Sequence, residues 1–106
     1  MDNKRFKRLN IIRVDIDGII CTNTYGDYEK AKPYKENIDK INKLYNNNKI
    51  ILWTARGTLL DDRREEIKEI TKKQLKEWKV KYHKLEFGKP YYDFIIDDRI
   101  LNINDL

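Results

Sequence analysis

A chain of 106 residues suits one domain and leaves no room for a second globular unit. Hydrophobic residues make up 40% and charged residues 39%, which argues against disorder, and no apolar run approaches a membrane span. The net charge is +5, and the single cysteine, Cys21, excludes an internal disulfide and a thiolate metal site.

The chain opens on "MDNKRFKRLN", which is too short and too charged for a secretory signal. It reads as a solvated basic tail over residues 1–10. A nucleic-acid contact is the alternative, but the charge elsewhere alternates in sign rather than forming a basic block. With one cysteine and no signal, the expected location is a reducing cytoplasm.

"NIIRVDI" is a compact apolar run, expected as a buried strand over residues 11–16. It ends on two acids one residue apart, Asp15 and Asp17, followed by Gly18. The stretch to Pro33 reads as loop. Tyr34, Ile38, Ile41 and Tyr45 then recur at helical spacing, and Asn46 to Asn48 stop that helix because Asn tolerates a left-handed end. "KIILWTAR" is a second buried strand, ending on Thr54, Ala55 and Arg56.

Thr58 and Asp61 resemble a capping box for a long charged helix reaching about Trp78, with Ile67, Ile70, Leu75 and Trp78 inward. "KVKYHKLEF" reads as a third strand, "GKP" as a turn and "YYDFIIDDR" as a fourth strand ending on Asp97 and Asp98. Alternating buried runs and helices imply an α/β fold: a small, mostly parallel sheet of about four strands, three-layered and Rossmann-like, with helices on both faces. The connection before the fourth strand is too short for a helical crossover, so an irregularity is expected there.

In such folds ligands gather at the carboxyl ends of the strands. Asp15, Asp17, Thr54, Lys89, Asp97 and Asp98 all fall at those predicted ends. Clustered carboxylates repel unless a cation joins them, and an all-oxygen donor set suits Mg²⁺. A metal, a lysine, a hydroxyl and backbone amides together make a phosphate site, and a free carboxylate there can attack phosphorus.

"VDIDG" with Thr54, Lys89 and "IIDD" resembles the four-motif signature of the haloacid dehalogenase superfamily of phosphatases, over residues 13–98. The segment "KVKYHKLEFGKPYYDFIIDDR" is similar to small members associated with surface-polysaccharide synthesis. The resemblance implies Asp15 as nucleophile and metal ligand, and Asp17 as acid and base with a metal-binding carbonyl. It implies Thr54, Gly18 and Lys89 as holders of phosphate, and a metal ligand in the pair Asp97 and Asp98. Where the family has Thr or Val after the motif, this chain has Ile19.

The loops after Asp17 and between strands two and three are too short for a cap domain. The expected site is therefore open, or closed by another subunit of a homo-oligomer. The expected substrate is a sugar phosphate, with a nucleotide or polynucleotide phosphate as the alternative. Two readings of other classes are a receiver-like phospho-acceptor domain and an idle binding module. Against the first, strand two ends on Thr54 without an acid.

Single residues also carry plainer readings. Arg56 is either a phosphate contact or an ion-pair partner of Asp61 or Asp62. His83 is expected as a packed residue, Cys21 as a small buried thiol, Trp53 and Trp78 as core, and Asp93 as a cap or solvent-facing residue. Tyr91 and Tyr92 are expected to pack on the fourth strand.

Overall fold

The computed structural model describes residues 10–58 and 61–106, so most of the expected basic tail lies outside the described residues. In chain order the elements are β1 (Ile11–Asp15), α1 (Lys35–Tyr45), β2 (Lys49–Thr54), α2 (Arg64–Glu77) and β3 (Lys84–Phe87), with single 3-10 turns at Tyr28–Lys30, Asp61–Arg63 and Ile103–Asp105. The three strands form one sheet in the order β1-β2-β3, all parallel, with Val14 opposite Leu52 and Leu52 opposite Leu85.

β2 is the central strand, paired on both edges, and reads so: Ile50, Ile51 and Leu52 are consecutive, apolar and buried. Val14, Ile50 and Leu52 face Ile38 and Ile41 of α1 and Leu75 of α2 in one core. Both helices therefore pack on the same face, and the expectation of helices on both faces is corrected. Successive right-handed crossovers that step in one direction, β1 to β2 to β3, leave their helices on one side. The opposite face carries Arg13, Asp15, Trp53 and Glu86. There Arg13 lies 5.3 Å from the Trp53 ring centre and pairs with Glu86 across the sheet. Trp53, expected in the core, is half-buried on this open face, whereas Trp78 packs against the core.

The fourth strand is absent. Residues 90–101 form neither helix nor strand, and Tyr91, Phe94 and Ile96 are exposed. The short connection already noted in the sequence is the physical reason: it cannot carry the chain to the amino edge of the sheet and back. Tyr91 and Tyr92 consequently pack on no strand of their own.

The helix ends differ from expectation in mechanism more than in position. α1 stops at Tyr45, but its cap residue Asn46 is right-handed. The work falls to Asn48, whose side chain donates to the Leu44 carbonyl at 3.0 Å and accepts from the Asn10 backbone and side-chain N–H groups at 3.3 Å. α2 has Arg63 as its N-cap, without a side-chain cap bond, in place of the expected Thr58. It ends at Trp78, followed by Lys79 in a left-handed conformation with φ +58°.

His83 precedes β3, stacks on Tyr45 at 4.3 Å, and accepts the Ile50 N–H at Nδ1, which is a packing role. Among the described residues no helix is long and apolar enough to cross a membrane.

Candidate active site

The chain turns sharply at the end of β1. Ile16 O accepts N–H bonds from Ile19, Ile20 and Cys21, so the backbone winds around one carbonyl. Ile16, Ile20 and Cys21 are fully buried and act as anchors of this loop. Gly18 sits at φ +92°, where an added Cβ would meet the Asn23 side chain at 3.1 Å, so both backbone conformation and space favour glycine. Asn37 in the first turns of α1 donates to the Ile19 carbonyl at 2.9 Å and locks the loop to the helix. The apolar pair Ile19 and Ile20 thus belongs to the loop's foundation.

Asp15 projects from the carboxyl end of β1. One oxygen accepts the Ile16 N–H at 2.9 Å, and the other lies 3.4 Å from Lys89 Nζ. Its side chain stays 39% exposed, which leaves a face open to an incoming group. Burial pushes its carboxyl above the ordinary range, and the Lys89 ammonium and the Ile16 N–H pull it only part of the way back.

Lys89 is itself buried. Its backbone N–H donates to the Thr54 carbonyl at 3.1 Å, which pins it over the end of β2. Its ammonium lies between the rings of Trp53, at 5.3 Å, and Tyr92, at 5.0 Å. Thr54 is buried, and its hydroxyl accepts the Arg56 N–H at 3.1 Å, closing the turn after β2.

Arg56 is tied to partners other than those expected from the sequence. Its side chain is fully buried and forks onto Asp17, with Nε–Oδ2 at 3.0 Å and Nη2–Oδ1 at 2.9 Å. Nη1 donates to Thr71 at 3.0 Å and Gln74 at 2.7 Å, and Nη2 reaches the Cys21 sulfur at 3.4 Å. A guanidinium has five N–H donors. All five are taken, so in this arrangement none remains for a phosphate. The Tyr28 ring covers the guanidinium at 4.7 Å. Burial alone would lower the Arg56 pKa, but the hydrogen bonds and charge of Asp17 outweigh it and hold the guanidinium above its usual value. Burial, reinforced by the Asp17 charge, pushes the Cys21 thiol up to about 12, so it is an inert packed thiol.

Thr71, Gln74 and Tyr28 escaped the sequence reading. The signal was present: Thr71 and Gln74 sit on the inner face of α2 between Ile67 and Leu75, at positions the helical period assigns to the core. Polar residues there need a buried partner, and Arg56 is that partner.

The structure therefore brings Asp15, Asp17, Gly18, Thr54, Arg56 and Lys89 to one rim. It does not bring the second acid pair into contact with them. Asp97 lines the same cleft as Asp15 and Lys89, a space of about 520 Å³, but Asp97 and Asp98 lie in the exposed segment. Asp97 accepts the Arg99 N–H at 3.0 Å, which holds its carboxyl below the usual range. Asp93 accepts the Tyr91 hydroxyl at 2.8 Å. Among the described residues no three acidic, histidine or cysteine groups stand close enough to hold a metal. Asp15 suits a hard cation, but Asp97 and Asp98 do not contact it, so among the described residues the donor set expected for Mg²⁺ is incomplete.

Comparison with family models and with curated proteins finds no match. Among solved structures, the crystal structure of a structural-genomics target from Vibrio cholerae is similar, with a TM-score of 0.80 and 23% sequence identity over 92% of this chain and 86% of that one. At that identity the likeness speaks to fold: both chains share one small α/β architecture built on a parallel sheet.

Proposed function

We propose that this protein is a phosphomonoester hydrolase in which Asp15 is the nucleophile. The observation that carries the reading is the Asp15–Lys89 pair at the carboxyl end of the sheet: a partly exposed carboxylate at 3.4 Å from a buried ammonium. Lys89 aligns the carboxylate and offers positive charge to the oxygens of an arriving phosphoryl group. Asp15 attacks phosphorus, the bond to the leaving oxygen breaks, and an aspartyl-phosphate forms. The resemblance gives Asp17 the proton transfer to the leaving oxygen and from the attacking water, and that role requires its carboxylate to turn out of the Arg56 fork toward the rim. Arg56 holds Asp17 between turns and is a positioning residue. The Gly18 loop and Thr54 frame the phosphate.

Mg²⁺ is the cation that suits this chemistry, and it would supply charge neutralisation beside Asp15. Among the described residues no cap domain overlies the rim, which favours substrates larger than a free small metabolite. A sugar phosphate is the first choice and a nucleotide or polynucleotide phosphate the second.

The expected outcome is phosphate release from p-nitrophenyl phosphate that requires Mg²⁺ and falls about a thousandfold or more in Asp15→Asn. Inactivity of the intact protein with metal across sugar and nucleotide phosphates would sink the reading. A phosphoryl adduct stable for minutes after acetyl phosphate treatment would replace it with the receiver-like role.

A further inference from the structure

Two cations meet at the carboxyl rim, and the chain treats them in opposite ways. Arg56 gives every N–H donor to a protein partner. Lys89 keeps its donors. Among the described residues the one ion-pair partner of its ammonium is Asp15, at 3.4 Å. A buried ammonium is costly unless something replaces the water it loses. Oxygen acceptors would do so, but they would also occupy its three N–H groups. Here the replacement is aromatic: the ring centres of Trp53 and Tyr92 lie 5.3 Å and 5.0 Å from Nζ. A ring face attracts a cation through its quadrupole without binding an N–H to oxygen.

The sequence puts each part in place. The register of β1 on β2 sets Trp53 directly beside Asp15, on the open face of the sheet. Arg13, paired with Glu86, meets the same indole at 5.3 Å and holds it from β1. Gly88 alone separates Lys89 from the end of β3. The Lys89 N–H is fixed on the Thr54 carbonyl at 3.1 Å, and Pro90 restricts the Lys89 backbone to extended forms. The ammonium thus reaches Asp15 alongside the Trp53 ring, and Tyr92 supplies the second ring. Without the rings, the flexible stem would carry the charge out to water, and an arriving phosphate would have to draw it back.

We infer that Trp53 and Tyr92 are positioning residues, an aromatic clamp that holds the Lys89 ammonium beside Asp15 and leaves its N–H groups for the oxygens of a phosphate. The effect on turnover rests on the phosphatase reading; the clamp and its effect on phosphate binding do not.

Nuclear magnetic resonance of the intact chain, with lysine labelled by carbon-13 at Cε, tests it. Protons held over a ring face resonate upfield. The Lys89 signal, identified by its absence from Lys89→Met, should therefore stand upfield of the other lysines. Inorganic phosphate is titrated against that signal, and p-nitrophenyl phosphate turnover is measured on the same protein. Tyr92→Leu and Trp53→Leu should each move the signal toward the other lysines, weaken phosphate binding about fivefold and lower kcat/KM to match. Tyr92→Phe keeps a ring and should stay near the wild type, and Trp53→Phe should fall between Trp53 and leucine. Tyr92 is 40% exposed, so its variants should keep the fold, which circular dichroism checks.

A wild-type Lys89 signal among the ordinary lysines overturns the clamp. So does a wild type that binds no phosphate, phosphate binding that Tyr92→Leu leaves unchanged, or a Tyr92→Phe that loses as much as Tyr92→Leu. Clamp-dependent phosphate binding without turnover defeats only the enzymatic reading, and turnover that the leucine variants leave intact defeats only the clamp.

Discussion

Asp15 has two influences that oppose each other, and titration separates them. Burial raises its pKa while Lys89 lowers it, so a carboxyl-resolved NMR titration should find it above 3.8, and higher again in Lys89→Met. The sign for stability follows. A carboxyl whose folded pKa is raised contributes most below its unfolded value, and that contribution is lost as pH rises through the folded value. Urea denaturation across pH should show this loss, deeper in Lys89→Met and missing in Asp15→Asn. Arg56 is the opposite case, a charge whose partners are all in place. Arg56→Met leaves Asp17, Thr71 and Gln74 without their donor and should cost about 3 kcal/mol in urea denaturation. Arg56→Lys should recover only part of this, because an ammonium cannot reproduce the fork.

At the scale of elements, one side chain joins three pieces of chain. Asn48 closes α1 and holds the residue that opens β1. Asn48→Ala should cost about 1–2 kcal/mol, read as a fall in thermal midpoint, since it removes part-buried bonds to the Leu44 carbonyl and to the Asn10 N–H groups. The same residue marks what the sequence made legible. Runs such as "KIILWTAR" and the period of Ile38 and Ile41 gave β2 and α1 almost to the residue, because hydrophobic burial is local and periodic. The stop at Asn46 to Asn48 was legible as a stop, but its agent was not. A side chain bonding backward to Leu44 leaves no spacing signal. Asp15, Thr54 and Lys89 were legible as rim residues because strand ends are legible. The Asp17–Arg56 fork was not, because it depends on which way a side chain turns within a buried pocket. The expected fourth strand has no counterpart over residues 90–101: "FIID" has strand composition, and composition is silent about whether the connection before it lets it pair.

For the whole molecule, the described residues leave the β1 edge of the sheet without a partner strand. Trp53 offers a way to watch the rim near that edge without a label. Its indole lies between the Arg13 guanidinium and the Lys89 ammonium and borders the cleft beside β1. Trp78 is the only other tryptophan in the chain, so Trp78→Phe turns Trp53 into a single fluorophore. Its emission colour and quenching by iodide would then report the seating of a phosphate on Lys89.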